Sequence, residues 1–141
     1  MKRLFVLVCL IVLLTGCNST LTFTEIKSGS VDKDVRSFLE DVEDQNGTYL
    51  YSNGDKEIFI FLNGINVQQG DKAAYFTNFD VEADGDTLNV FYEVEYTEDY
   101  SNDNLKYQAL FKIKPNQNYE EIHAFSNGKE VPFQTVSGRG K

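Results

Sequence analysis

The segment "EIFIFL" (residues 57–62) decides the fold, because five consecutive residues after its glutamate are apolar. A strand with one solvated face alternates apolar and polar residues, whereas this run leaves no polar face and is typical of a central strand covered on both sides. The turn-forming "NGDK" (residues 53–56) and the alternating "TYLYS" (residues 48–52) precede it, which predicts a β-hairpin. Each face of this central strand then needs its own cover.

One amphipathic helix is predicted immediately before this hairpin. Its apolar residues follow the i, i+4, i+7, i+8, i+11 spacing that places them on one helical face. Ser30 can cap the N-terminus of the helix, and Asn46-Gly47 can end it. We expect this helix to cover one face of the sheet. The residues of its apolar face are Val31, Val35, Phe38, Leu39 and Val42.

Three longer segments follow with the period-two alternation of strands, at residues 73–82, 87–96 and 105–114. The first two are expected to pair with Val81 opposite Leu88, and the second and third with Val94 opposite Tyr107. A last hairpin follows, with its second strand at a sheet edge because it contains a proline. The sequence thus predicts an α+β fold in which one amphipathic helix packs on an antiparallel sheet of about five to seven strands.

The N-terminus has the layout of a secretory signal. Two basic residues precede an apolar run at residues 4–14, which is too short to span a membrane. The sequence Leu14-Thr15-Gly16-Cys17 at its end resembles the lipobox of bacterial lipoproteins. This resemblance implies that diacylglycerol is attached to Cys17 and that the chain is cut just before it.

The lipobox resemblance also implies a domain organisation and a location. Residues 1–16 are then the lipoprotein signal peptide, and residues 17–29 a lipidated N-terminus with a short linker or strand. We expect a single α+β domain at residues 30–136 and a disordered tail at residues 137–141. The mature protein would be lipid-anchored to the cell membrane, on its extracytoplasmic face.

The charge of the chain disfavours two classes of partner. The formal net charge is −9, and the expected signal peptide holds two of the 13 basic residues and none of the 22 acidic ones, so the mature chain carries −11. A strongly acidic protein is repelled by nucleic acid and by anionic lipid surfaces. We therefore expect no nucleic-acid partner.

The inventory of reactive side chains is small. His123 is the only histidine, so neither a Ser-His-Asp triad nor a histidine-based metal site can be assembled. An acylated Cys17 has no free thiol to act as a nucleophile. We expect no cofactor and no metal site, although Glu98, Asp99 and Asp103 share a loop that is either a polar connection or a weak site for a divalent cation.

Aromatic residues are abundant, with eight tyrosines and eleven phenylalanines. In the expected register, Phe76, Phe91 and Leu110 point to the same side of the sheet, away from its main apolar face. This set is either the surface on which the helix docks or an exposed patch that binds another protein.

Three segments together resemble the C-terminal domain of PrcB-type protease-complex proteins. They are "YLYSNGDKEIFIFLNG" (49–64), "DVEADGDTLNVFYEVEY" (80–96) and "ALFKIKP" (109–115). The resemblance spans about residues 31–115, with "GDKAAYF" (70–76) where that family has a Thr-Gly-Gly-Tyr turn. The chain also resembles short lipoproteins of spore-forming Gram-positive bacteria, some of which carry a peptidyl-prolyl isomerase label.

Two hypotheses about function follow. The first is a membrane-anchored extracytoplasmic lipoprotein that acts as a non-enzymatic protein-binding or accessory module, with another envelope protein as its partner. The alternative is an extracytoplasmic folding factor with peptidyl-prolyl isomerase activity, a reaction that needs an aromatic pocket and few titrating groups.

Cys17 is the residue on which the location depends. We expect mass spectrometry of the detergent-extracted protein to show a diacylglyceryl-modified peptide that begins at Cys17. The Cys17→Ser variant should be released from the membrane or remain an uncut precursor. A Cys17→Ser protein that is processed and retained normally would contradict the assignment.

Overall fold

The computed structural model describes residues 20–54 and 56–139, which form nine strands and one α-helix. Strands make up 53% of these residues and helical residues 11%, so the fold is mainly β, and the expectation of an α+β fold is wrong. No helix in the described part of the chain is long and apolar enough to cross a membrane. The elements are β1 (Thr22–Ile26), α1 (Lys33–Val42), β2 (Gly47–Asn53), β3 (Glu57–Asn63), β4 (Ala73–Asp84), β5 (Thr87–Thr97), β6 (Gln108–Lys114), β7 (Glu121–Ser126), β8 (Lys129–Val131) and β9 (Thr135–Arg139).

The strands form two sheets instead of the single sheet expected. The five-stranded sheet has the order β1-β6-β3-β2-β9, and the four-stranded sheet has the order β4-β5-β7-β8. The pairs β2–β9 and β5–β7 are parallel, and the other pairs are antiparallel. Apolar residues from both sheets form one buried cluster, so the two sheets pack face to face as a β-sandwich.

The central strand β3 has the two covered faces that its sequence predicts. Ile58, Ile60 and Leu62 point into the sandwich, where they join the cluster shared with the four-stranded sheet. Phe59 and Phe61 point the other way, towards α1. The two residue sets belong to separate apolar clusters, so β3 is packed between two layers.

Helix α1 covers the outer face of the five-stranded sheet. Its predicted apolar face is confirmed, because Val31, Val35, Phe38, Leu39 and Val42 are all buried against this sheet. The helix begins slightly later than expected, since the carboxylate of Asp32 accepts a hydrogen bond from the Val35 N–H (3.1 Å) and caps it in place of Ser30.

Strand β6 does not pair with β5, as the expected hairpin required. It lies in the five-stranded sheet between β1 and β3, with Phe111 opposite Ile60. Ala109, Phe111 and Ile113 of β6 face the sandwich, while Leu110, on the opposite and otherwise polar face, is buried beneath the helix. A position under the helix removes Leu110 from water, which pairing with β5 in the other sheet would not do.

The β4–β5 hairpin forms, but its register differs from the expectation. Val81 lies opposite Val90, and a bulge between Thr77 and Asp80 shifts the pairing further along β4. Asn78, at this bulge, adopts a positive φ of 54°. The extra residue reverses which side chains face inward, so Phe76 enters the core.

The ends of the domain extend further than the sequence indicates. Strand β1 pairs with β6, so part of the segment expected to be a short linker or strand (residues 17–29) is a strand of the sandwich. The expected tail at residues 137–141 is wrong in part, because Ser137–Arg139 belong to β9. Gly138 packs so tightly on β2 that a Cβ there would lie 2.1 Å from the Ser52 carbonyl oxygen, which requires a glycine.

The contribution of the helix can be measured at Phe38, whose ring lies 5.3 Å from that of Tyr51. We expect Phe38→Ala to lower the free energy of unfolding by about 3–5 kcal/mol, as truncation of a buried aromatic residue does. Glu40→Ala, at an exposed position of the same helix, should change it by less than about 0.5 kcal/mol. Urea denaturation of both variants makes the comparison, and equal small effects would mean that the helix does not pack on the sheet.

Candidate binding cleft

Two loops that pass between the sheets meet at one end of the sandwich, which we call the distal end. The β3–β4 loop (residues 64–72) and the β5–β6 loop (residues 98–107) lie side by side there. The Gly64 N–H donates to the Tyr107 carbonyl (2.8 Å), and the Phe76 N–H donates to the Lys106 carbonyl (2.9 Å). The backbone of one crossing loop therefore holds the other in place.

A cleft of about 560 Å³ opens at the distal end, and a second pocket of about 310 Å³ adjoins it. Val67 and Gln68 line both, so they form a ridge between the two. We call the pair the distal cleft. Its main part is lined by amide and aromatic side chains, including those of Asn46, Asn63, Asn66, Phe76, Tyr92 and Tyr96.

The floor of the distal cleft is a buried pair of hydroxyl groups. The Thr48 Oγ1 and the Tyr92 phenolic oxygen are 2.5 Å apart, and both residues are buried. Burial raises the pKa of Tyr92 above its ordinary value, while hydrogen bonds with Thr48 and Ser126 act in the opposite direction. Phe76 packs edge-on against Tyr92, with ring centroids 6.0 Å apart. The floor is thus packed and hydrogen-bonded.

The rim of the distal cleft is held by asparagine side chains. The Asn46 Nδ2 donates to the Asn66 carbonyl (2.7 Å), and the Asn66 N–H donates to Asn46 Oδ1 (2.9 Å). Asn66 Nδ2 also donates to the carbonyl of Glu43, just after the helix (2.9 Å). These bonds join the β3–β4 loop to the C-terminal end of α1.

Exposed apolar side chains are concentrated around the distal cleft. The structure exposes five large hydrophobic residues in the described part of the chain, and three of them line this cleft: Ile65 (52% exposed), Tyr96 (63%) and Tyr100 (51%). The other two, Phe23 and Val136, lie on β1 and β9. A cluster of exposed apolar groups beside a concave surface is typical of a binding site.

The three apolar residues expected to share a face lie in three different places. Phe76 is in the sandwich interior at the back of the distal cleft, and Leu110 is beneath α1. Phe91 lies on the outer face of the four-stranded sheet, stacked on Phe125 with ring centroids 5.2 Å apart. The prediction that these residues share a patch is wrong, because the bulge in β4 and the location of β6 in the other sheet separate them.

The expected weak cation site lies on the β5–β6 loop. Asp99 accepts hydrogen bonds from the Ser101 N–H (3.1 Å) and hydroxyl (2.6 Å), and these bonds lower the pKa of Asp99. Glu98 and Asp103 are exposed on the same loop. Across the described ranges, no three acidic, histidine or cysteine side chains are grouped closely enough to hold a metal ion.

His123 lies on β7, outside the distal cleft. Its two ring nitrogens contact Glu121 and Glu130, and hydrogen bonds to these two carboxylates raise the pKa of His123. The histidine joins neighbouring side chains of β7 and β8 on the surface of the four-stranded sheet. Cys17, the expected lipidation site, lies outside the described residues.

No family model matches the chain, and neither a curated protein nor a solved structure matches it. What the distal cleft binds must therefore be inferred from its own side chains. Sequence patterns missed Ile65 and Val67, which lie in none of the predicted strands or helices. The signal for them was two apolar residues in "GINVQQGD" (64–71), a segment with no strand or helix pattern of its own.

The hydroxyl pair on the cleft floor can be tested by a double-mutant cycle. We expect Tyr92→Phe to cost about 1–3 kcal/mol of stability, because it leaves the buried Thr48 hydroxyl without that partner. Adding Thr48→Val should cost less than the sum of the two single changes, since it removes the Thr48 hydroxyl that Tyr92→Phe leaves without that partner. Urea denaturation supplies the energies, and Tyr96→Phe, at an exposed tyrosine, is the matched control. Strict additivity would show that the two hydroxyls do not interact.

Proposed function

We propose that this chain is a membrane-anchored extracytoplasmic lipoprotein, attached through diacylglycerol on Cys17, that acts as a non-enzymatic binding or accessory module for another envelope protein. The distal cleft is its binding surface. The opposite end of the sandwich is the end that faces the membrane. Prolyl isomerisation, the alternative from the sequence, stays a prediction.

The observation that carries this proposal is the position of the N-terminal strand relative to the cleft. Thr22, the first residue of β1, pairs with Lys114 at the end of β6, whereas the distal cleft lies next to Gln108 at the start of β6. At about 3.4 Å per residue, β6 separates the two ends by about 20 Å. The chain therefore enters the domain at the end remote from the cleft.

The segment between the anchor and the domain is short, so the end at which the chain enters the domain determines which end lies near the membrane. Leu21 is the fourth residue after Cys17, and a fully extended chain over those four steps reaches at most about 14 Å. An anchor at Cys17 would hold the N-terminal end of the sandwich near the lipid headgroups. The distal cleft would then face away from the membrane, where a second protein can reach it.

The chemistry of the cleft favours binding over catalysis. Its floor consists of two hydroxyl groups bonded to each other, and its rim amides are bonded to backbone groups. The imidazole of His123 lies on another surface. Exposed tyrosines beside a packed floor supply contact area and orientation, which is what recognition of a protein surface requires.

The expected orientation can be measured with two matched cysteine variants. Asn104 lies on the β5–β6 loop at the distal end, and Asn118 lies on the exposed β6–β7 connection at the other end. Each is replaced by cysteine in a separate variant. Because acylation leaves Cys17 without a free thiol, each new cysteine can be labelled alone. In vesicles containing acceptor lipids, we expect energy transfer from a dye at residue 118 to be stronger than from one at residue 104.

The same two positions test the binding role in intact cells. A photoreactive amino acid at residue 104 should give protein adducts of defined mass that are lost with Tyr96→Ala and Tyr100→Ala. The same group at residue 118 should not give these adducts. Equal or reversed energy transfer would contradict the orientation, and adducts at 104 that survive the tyrosine changes would contradict binding through the cleft.

A further inference from the structure

We propose that the distal cleft binds an extended segment of a partner protein in which basic residues, arginine above all, alternate with apolar ones. This inference rests on the proposed function and adds the chemistry of the ligand. It follows from two properties of the cleft that are independent of each other. One is the exposed apolar surface, and the other is the sign of the charge around it.

The apolar part of the site has two separate contact areas. Tyr96 lines the main part of the cleft, and Ile65 and Tyr100 line the second, smaller pocket. Val67 and Gln68 form the ridge between the two. A ligand that contacts both areas must cross this ridge, which suits an extended chain with apolar side chains at intervals. The faces of exposed tyrosines also attract cations, and arginine stacks on aromatic rings better than lysine does.

The charged residues that line the cleft itself, Asp71 and Lys72, offset each other, whereas the segments that surround the cleft are predominantly negative. The β5–β6 loop contributes Glu98, Asp99 and Asp103 beside Tyr100, and its basic residue, Lys106, is paired with Glu25. Glu43 and Asp44 follow α1 on the other side, where Asn66 joins the helix end to the rim. The C-terminal end of a helix carries a partial negative charge in addition. A cationic ligand is therefore attracted from both sides of the cleft.

Charge also disfavours three other ligands of the cleft: a second copy of this chain, an anionic lipid and an acidic segment of a partner. A second copy of this chain would bring a further mature charge of −11 to an already acidic rim. Anionic lipid would be repelled in the same way, and an acidic segment of a partner would be repelled by the carboxylates on either side of Tyr100 in the β5–β6 loop. Complementary charge commits the site to a basic partner segment.

The test uses the full lipidated chain in nanodiscs of zwitterionic lipid, with empty nanodiscs as the blank. The probe is a rhodamine-labelled peptide of three arginines alternating with three leucines, and binding is followed by fluorescence anisotropy. Two further peptides replace all arginines by glutamate or all leucines by serine. We expect the arginine–leucine peptide to bind and each replacement to weaken binding at least tenfold. Raising sodium chloride from 50 to 500 mM should weaken it several-fold, because salt screens exposed charges.

Matched variants separate the cleft from the charge of the whole protein. Tyr96→Ala with Tyr100→Ala should raise the Kd at least tenfold, whereas Val136→Ala, at an exposed apolar residue on β9, should leave it within twofold. Glu98→Lys with Asp103→Lys should weaken binding at least fivefold. Glu82→Lys with Asp84→Lys makes the same change of net charge near the β4–β5 turn and should leave the Kd within twofold.

Three results would overturn the ligand class. The first is that the two charge-reversal pairs weaken binding equally. The second is that the glutamate peptide binds as tightly as the arginine–leucine peptide. The third is that the arginine–leucine peptide binds to none of the nanodisc samples. None of these would change the energy transfer at residues 104 and 118 or the adducts formed at residue 104. A failure of the ligand class can thus be distinguished from a failure of the anchored binding module.

Discussion

The fold depends on the need to bury both faces of β3. Five consecutive apolar residues cannot share one side of a strand, so water has to be excluded from two opposite surfaces. The four-stranded sheet covers Ile58, Ile60 and Leu62, and α1 covers Phe59 and Phe61. Neither cover substitutes for the other, because each removes a different set of side chains from water. Helix α1 is therefore a structural layer of the domain even though most of the described residues belong to strands.

This layered arrangement also produces the cleft. The chain leaves β3 in one sheet for β4 in the other, and it returns from β5 to β6. Both crossings lie at the end of the sandwich where β3 ends and β6 begins, and their backbones are hydrogen-bonded to each other. Loops that bridge two layers cannot fill the space between them as densely as packed strands do. The concave surface appears at these two crossings, at the end of the sandwich remote from Thr22, the first residue of β1.

Local sequence patterns predicted the helix and the strands better than they predicted which strands pair with each other. The buried face of α1 and the β2–β3 and β7–β8 hairpins could be read from the sequence because each depends on neighbouring residues. The bulge at Asn78 could not, because one inserted residue reverses the inward side chains without changing the alternation on either side of it. The location of β6 could not either, since the choice between β5 and β3 depends on long-range burial of Leu110. The predicted apolar patch failed for these two reasons.

Asn63 connects the packing of the helix to the shape of the cleft. It is 1% exposed at the end of β3, and its Nδ2 donates to the carbonyls of Glu43 (3.0 Å) and Gln45 (2.9 Å). Its Oδ1 accepts from the Ile65 N–H (3.2 Å) and from Gln108 Nε2 (3.1 Å). One side chain thus uses its full hydrogen-bonding capacity to join the helix end, the β3–β4 loop and β6. A shift of the helix would break hydrogen bonds to an amide that is almost fully buried at the edge of the cleft, so the apolar layer under α1 also fixes the distal cleft.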